Sequence, residues 1–149
     1  RRLGMNLPGL SVYLAVILLG WLIAHLIKHL IALSKGYHPD LVRQMFISGG
    51  MPSSHATTSV AVWGVILLKD GPESGLFGLA TLVTLIICYD AVKVRRSSGE
   101  QGEAIRALIT ETKSNVSLPR SARGHTPLEV LAGAVLGMII ALVVFLATK

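Results

Sequence analysis

The chain has 149 residues, of which 52% are hydrophobic and only 15% are charged, and its formal net charge is +6. The length fits one domain, and the apolar fraction is higher than a soluble domain of this size usually carries. The basic residues lie between the apolar runs and are not interleaved with aromatic side chains, which argues against a nucleic-acid-binding protein. A single cysteine, Cys88, excludes an internal disulfide. The composition therefore indicates a membrane protein.

Four apolar segments are predicted to cross the membrane as helices. A spanning helix needs about 20 residues at a rise of about 1.5 Å per residue. The second segment is apolar only from Ala56, and it approaches this length if its helix begins at Pro52, whose missing N–H suits a first turn. The predicted spans are residues 10–33, 52–69, 74–93 and 127–148.

The third and fourth spans are separated by a polar segment. Within residues 98–117, apolar side chains recur at roughly helical spacing among charged ones, which is typical of an amphipathic helix in the plane of the membrane interface. The predicted fold class is therefore all-α: a single-domain membrane bundle of about four transmembrane helices plus an interfacial amphipathic helix.

The last span has a distinct start and a glycine pair. Residues 126–129, Thr-Pro-Leu-Glu, match a capping box with proline at the first helical position. Gly133 and Gly137 form a GxxxG pattern, which allows close helix approach and makes a homodimer one plausible assembly.

Four spans that alternate in direction bring the end of the first, the start of the second, the end of the third and the start of the fourth to one side. Those ends carry most of the unusual polar residues. Ionisable groups near membrane depth are costly and usually face a cavity or each other, so their convergence predicts a functional site. The converging residues are Lys28, Ser53, Ser54, His55, Asp90, Arg95, Arg96, His125 and Glu129.

The chemistry of this set suits a phosphate group. Helix N-termini offer unpaired N–H groups and a positive dipole end, and lysine and arginine add full charges. Two histidines that titrate near neutrality can divide a displacement, one attacking phosphorus and the other protonating the departing oxygen. Glu129, four residues after His125, is placed to orient the attacking imidazole; the alternative is that it serves only the capping box.

Two segments, GGMPSSHATTS and GHTPLEVLAGAVLG, resemble the second and third motifs of the type-2 phosphatidic acid phosphatase and vanadium haloperoxidase superfamily. A further segment, YDAVKVRRSSGEQ, resembles its small divergent membrane branch, and the resemblance covers roughly Lys28 to Gly137. It implies that His125 is the nucleophile, His55 the general acid and Ser53 a phosphate contact, with Glu129 as the motif's carboxylate.

The sequence departs from the superfamily's arginine and glycine positions. Ser54 replaces the glycine of the second motif, and no arginine stands at the expected offset before His125. Arg95 and Arg96, from the end of the third span, are predicted to supply the missing guanidinium to the phosphate.

The first motif, Lys-x6-Arg-Pro, is absent as written. Lys35 and Arg43 are one residue too far apart, and Arg43 is followed by glutamine. Lys28 is the preferred phosphate lysine, with Lys35 as the alternative.

These observations predict a membrane lipid phosphatase that hydrolyses a phosphate monoester or diphosphate, of the phosphatidate or polyprenyl diphosphate type, through a phosphohistidine. That mechanism requires no metal and no cofactor. One alternative is a non-catalytic phospholipid-binding or lipid-carrier protein, and another is a metal-dependent hydrolase with Asp90 and Glu129 among its ligands. The preferred role of Asp90 is a salt bridge to Arg95 or Arg96.

The remaining polar and aromatic residues have simpler interpretations. His25 and His29, four residues apart, are expected to form interhelical or interfacial hydrogen bonds rather than a metal pair, and His38 is expected at the surface. Trp21 and Trp63 are expected to pack within the bundle.

The distribution of charge predicts the orientation of the protein. Residues 34–50 and 93–126 are rich in basic side chains, so the positive-inside rule places them, and the site, in the cytoplasm. The predicted location is the plasma membrane, with a phosphorylated membrane lipid as the partner.

Overall fold

The computed structural model describes residues 11–37, 50–119 and 124–149, and within these ranges the protein is helical with no strand. The predicted all-α class is confirmed. A π-helical turn, Asp90–Val94, joins the third helix directly to the fourth. The α-helices of the described ranges are α1 (Val12–Ser34), α2 (Ser54–Asp70), α3 (Gly75–Tyr89), α4 (Arg95–Glu111) and α5 (Pro127–Ala147).

Helix α2 is the centre of the bundle. It packs against α1, α3 and, most extensively, α5, while α1 and α3 make little contact with each other. The core between α1, α2 and α5 is built from Val16, Val65, Ile140, Ala141 and Val144. The gap that remains between α1 and α3, with α2 behind it, is where the site described below lies.

The GxxxG pair explains why α2 and α5 pack so closely. A Cβ added to Gly133 would lie 2.6 Å from the Ser53 carbonyl oxygen, and one added to Gly137 would lie 2.5 Å from the Thr57 carbonyl oxygen. Only glycine leaves room for these backbone contacts. This face is therefore buried inside the chain and is not the surface through which two copies would meet.

Among the described residues, three helices are long and apolar enough to cross a membrane, namely Val12–Ser34, the continuous helix Gly75–Glu111 and Pro127–Ala147. Helix α2 has 17 residues, the lower limit for a span. It begins at Ser54 rather than at the predicted Pro52, because the Ser53 hydroxyl caps it by accepting a hydrogen bond from the Ala56 N–H at 3.4 Å.

The polar helix predicted for residues 98–117 is present, but with different bounds. It begins at Arg95 as a continuation of α3 and ends at Glu111. The π-turn joins α3 to α4 without a loop.

Hydrogen bonds at the opposite end of the bundle show how the helices run: α1 is antiparallel to α2, and α2 is parallel to α5. The Tyr13 hydroxyl, at the start of α1, lies 2.7 Å from the Asp70 carboxylate at the end of α2. The Lys69 ammonium donates to the Thr148 carbonyl just beyond α5 at 3.2 Å. The end of α1 and the starts of α2 and α5 therefore share the other side, as the sequence predicts.

Candidate active site

A cavity of about 590 Å³ lies between α1, α2 and α3. One end is polar and carries the charged and imidazole side chains, and the other is apolar. Cavities of a few hundred Å³ with an apolar wall and a few convergent polar groups are typical of ligand sites. The polar end consists of Lys28, Ser54, His55, Arg95 and His125, the middle of His25, Thr58, Ser59 and Thr84, and the apolar part of Ile17, Trp21, Val62, Ala80, Val83 and Ile87.

His125 closes the polar end and is almost completely buried, with 1% of its surface exposed. Two backbone contacts fix its position just before α5. Its N–H donates to the Ala91 carbonyl in the π-turn at 3.0 Å. Gly124 packs so closely against the Arg96 backbone that a side chain would not fit. The π-turn therefore holds the imidazole in the cavity.

Glu129 orients this imidazole and also caps α5. Its Oε2 lies 3.2 Å from His125 Nδ1 and accepts from the Thr126 N–H at 2.9 Å. The Glu129 N–H donates to the Thr126 hydroxyl at 3.3 Å, which completes the predicted capping box. Both interpretations of Glu129 are thus satisfied by one carboxylate. Because a carboxylate only accepts, Nδ1 carries the proton. The buried Nε2, which has no hydrogen-bond partner among the described residues, presents its lone pair.

The surroundings of His125 favour its neutral form. Burial lowers the pKa of its imidazole, and the nearby Lys28 ammonium lowers it further, while the hydrogen bond that it donates to Glu129 opposes both. The net direction is downward. A neutral imidazole is the form that can attack an electrophile, so these surroundings favour the form that the predicted nucleophile needs.

His55 faces His125 from the first turn of α2. The two ring centroids are 6.4 Å apart and the ring planes are inclined at 61°. His55 is the more exposed of the two. Beside it, Ser54 lines the cavity, and N–H groups in the first turn of a helix have no partner four residues earlier. The start of α2 therefore points free donors and a second imidazole at the same space.

Two cations border this space from different helices. Lys28 lies on α1 and is 6% exposed, whereas Lys35 is exposed at the C-cap of α1, so of the two candidate lysines it is Lys28 that reaches the cavity. Arg95 reaches it from the start of α4, and its Nε lies 2.7 Å from an Asp90 carboxylate oxygen. The Arg95 N–H also donates to the Asp90 carbonyl across the π-turn.

Comparison with known proteins now adds to this geometry. A family model described as the divergent PAP2 family matches residues 11–140. The chain belongs to this family. Membership confirms the resemblance drawn from the sequence motifs.

The divergent PAP2 chain also has a curated relative, the membrane protein YuiD of Bacillus subtilis, itself described as uncharacterised. The two are 32% identical over 111 residues, which cover 64% of this chain and 70% of that protein. No solved structure matches. The relative and the apolar helices together identify an integral membrane protein.

Within this divergent PAP2 protein, four predicted site residues lie outside the cavity wall. Glu129 is one of them, and it contacts the site through His125. Ser53 is fully buried, and its hydroxyl caps α2. Arg96 pairs instead with Glu100 along α4 at 3.1 Å and is exposed. Asp90 forms the preferred salt bridge, to Arg95. Arg43, Arg120, Arg123 and His38 fall outside the described residues.

The structure also brings in residues that the sequence reasoning assigned elsewhere. Trp21, expected to pack within the bundle, lines the cavity with its ring centroid 4.6 Å from that of His25. Trp63 does pack, against Phe77 at 5.4 Å. A signal for the missed residues exists in the sequence, because Trp21, His25 and Lys28 recur at helical spacing along one face of α1.

The described residues also bear on the metal-dependent alternative. No three histidine, cysteine, aspartate or glutamate side chains in those ranges form a group suited to a metal ion. Glu129 is held by His125 and Thr126, and Asp90 by Arg95.

Proposed function

We propose that this protein hydrolyses a phosphate monoester or diphosphate of a membrane lipid through a phosphohistidine formed on His125. The observation that carries the proposal is the buried imidazole itself. Its Nδ1 is held by Glu129, its Nε2 has no partner, and it closes a cavity that Lys28 and Arg95 also line.

The two imidazoles divide the reaction. His125 Nε2 attacks phosphorus and the bond from phosphorus to the lipid oxygen breaks, while His55 gives that oxygen a proton. His55 then takes a proton from water, which attacks the phosphohistidine and frees Nε2. Both imidazoles border the same cavity, and their ring centroids are 6.4 Å apart.

Positive groups surround the place where charge develops. Lys28 and Arg95 supply full charges, and the N–H groups of Ser54 and His55 supply the positive end of α2. The far part of the cavity supports a lipid substrate, because its wall there is apolar. A phosphate at the polar end would place its hydrocarbon along that wall.

The test is phosphate release from phosphatidate and from a polyprenyl diphosphate by purified wild type, His125→Ala and His55→Ala, each with and without EDTA. We expect release by the wild type that survives EDTA, and loss of release in His125→Ala. Acid-labile phosphate trapped on the wild type but not on His125→Ala would identify the intermediate. Release that EDTA abolishes and a divalent ion restores would replace this mechanism with a metal-dependent one.

One observation favours a second function, the binding or carriage of a phosphorylated lipid without turnover. The guanidinium of Arg95 is paired with Asp90 and that of Arg96 with Glu100, so neither is uncommitted. Folded wild type that binds phosphatidate in vesicles but releases no phosphate would establish this function.

A further inference from the structure

A second polar layer lies deeper in the cavity than the proposed phosphate position. His25 precedes Lys28 by three residues on α1, and Thr58 follows Ser54 by four on α2. Because the two helices run in opposite directions, both residues lie about one helical turn further into the bundle than Lys28 and Ser54 at the polar end. Both line the cavity.

Each of these two residues has a polar atom without a partner. His25 Nδ1 and Thr58 Oγ1 are buried and make no hydrogen bond within the part of the chain that the structure describes. The other hydroxyls of this layer are satisfied: Ser59 donates to the Ala56 carbonyl at 3.3 Å, and Thr84 donates to the Ser59 carbonyl at 3.3 Å. Buried polar groups are nearly always paired, above all at membrane depth where no water is available. The unpaired atoms of His25 and Thr58 therefore call for a ligand.

The type of ligand follows from the position and charge of this layer. A group bound here is attached within a few bonds of the phosphate, because the layer is one turn from the polar end. The imidazole and the hydroxyl are donors suited to a carbonyl or hydroxyl oxygen, and the full charges of Lys28 and Arg95 lie at the polar end. A glycerol-based lipid carries ester carbonyls at this distance, whereas a prenyl chain is hydrocarbon from its first carbon.

We propose that His25 and Thr58 form a linker subsite that binds the ester carbonyl or hydroxyl groups next to the phosphate of a glycerol-based lipid. The inference rests on the proposed function for the position of the phosphate. Beyond the subsite, Ile17, Val62, Ala80 and Val83 receive the start of the acyl chains. Since α1 and α3 make little contact with each other, the chains leave the cavity between these two helices.

The test compares substrates that differ in the group attached to the phosphate. kcat/KM is measured for phosphatidate, a polyprenyl diphosphate and phenyl phosphate with wild type, Thr58→Val and His25→Phe. Each substitution keeps the approximate shape and removes the hydrogen-bonding atom. Ser59→Ala is the matched control, because Ser59 lines the same layer with its hydroxyl already paired to the backbone.

We expect Thr58→Val and His25→Phe each to lower kcat/KM for phosphatidate about tenfold, the effect of one hydrogen bond to a bound ligand. Phenyl phosphate and the polyprenyl diphosphate should change less than about twofold, and Ser59→Ala should match the wild type on all three. An equal loss on all three substrates would overturn the linker subsite, as would unchanged activity on phosphatidate.

A binding measurement separates this inference from the proposed function. If the wild type releases no phosphate, the dissociation constants of fluorescent phosphatidate and of a fluorescent prenyl phosphate are measured with the same variants in detergent micelles. Weaker binding of phosphatidate alone in Thr58→Val and His25→Phe supports the subsite even though hydrolysis has failed. Identical binding of phosphatidate by wild type and variants overturns it.

Discussion

At the scale of single residues, the carboxylate of Glu129 both contacts His125 and caps α5, and substitution can separate these two roles. Glutamine also completes a capping box, but it lacks the charge that holds the proton on His125 Nδ1. Thr126 takes part only in the cap.

Glu129→Gln is therefore expected to lower the rate of phosphate release by about 10²- to 10⁴-fold, the usual effect of losing the group that orients a catalytic histidine. Its thermal stability should stay close to that of the wild type. Thr126→Ala should show the opposite, a loss of about 0.5–2 kcal/mol of stability with activity retained. Equal activity in Glu129→Gln and wild type would show that the carboxylate only caps the helix.

The two neighbouring arginines provide a second matched pair. Arg95 lines the cavity and Arg96 does not. A lysine in place of Arg95 keeps the charge but loses the planar fork of donors. Arg95→Lys is expected to lower kcat/KM about tenfold or more, and Arg96→Lys should have no effect on it. Loss of activity in Arg96→Lys alone would show that Arg96, and not Arg95, contacts the phosphate.

The lowered pKa of His125 determines how the protein responds to acid. The folded protein binds a proton at this imidazole less readily than the unfolded chain, so protonation favours unfolding. The contribution of His125 to the free energy of unfolding is complete above the ordinary histidine pKa of 6.5 and is lost as the pH falls below it.

We expect kcat/KM to fall on the acid side through a pKa below 6.5. Stability measured between pH 7.5 and pH 5, a range of about one unit or more on either side of that value, should fall in the wild type more than in His125→Gln. An acid limb centred above the ordinary histidine value would contradict the assignment of a neutral nucleophile.

At the scale of helices, the contact between α2 and α5 determines where His125 and His55 meet. His55 is in the first turn of α2 and His125 immediately precedes α5, so a shift of one helix against the other changes the separation of the two rings. The glycines of α5 maintain that contact.

Gly137→Ala is expected to destabilise the protein by about 1–3 kcal/mol, the usual cost of overpacking a tight interface, and to reduce phosphate release. Gly78→Ala is the control, because Gly78 lies near the start of α3 and a Cβ added there would meet no neighbouring element within 4 Å. Thermal unfolding in detergent should show a lower midpoint for the first variant only. Equal unfolding midpoints for the two variants would mean that the close approach of α2 and α5 at Gly137 does not stabilise the protein.

At the scale of the whole molecule, the alternation of helices places all site residues on one side of the membrane. The basic loops flank that side, and the proposed orientation is cytoplasmic.

Single cysteines introduced into a Cys88→Ser background test this orientation. Ser114→Cys lies in the segment after α4, on the side of the site, and Glu73→Cys lies between α2 and α3 on the opposite side. In intact cells an impermeant maleimide should label Glu73→Cys and spare Ser114→Cys until the membrane is opened. The reverse pattern would place the site outside.

The sequence by itself determined the class of the protein and most of its site. Apolar runs of spanning length predict helices, alternation brings their polar ends together, and the motifs point to His55, His125 and Glu129, because each of these signals is local or follows from chain order.

Tertiary structure alone decided the rest. At 3.6 residues per turn, Asp90 and Arg95 would lie about 140° apart on an α-helix, yet the π-turn brings their side chains together and carries Arg95 to the cavity while Arg96 turns to Glu100. The unpaired polar atoms of His25 and Thr58 likewise depend on the tertiary structure. Whether a side chain finds a hydrogen-bond partner is decided by the helices packed around it, and not by the type of residue.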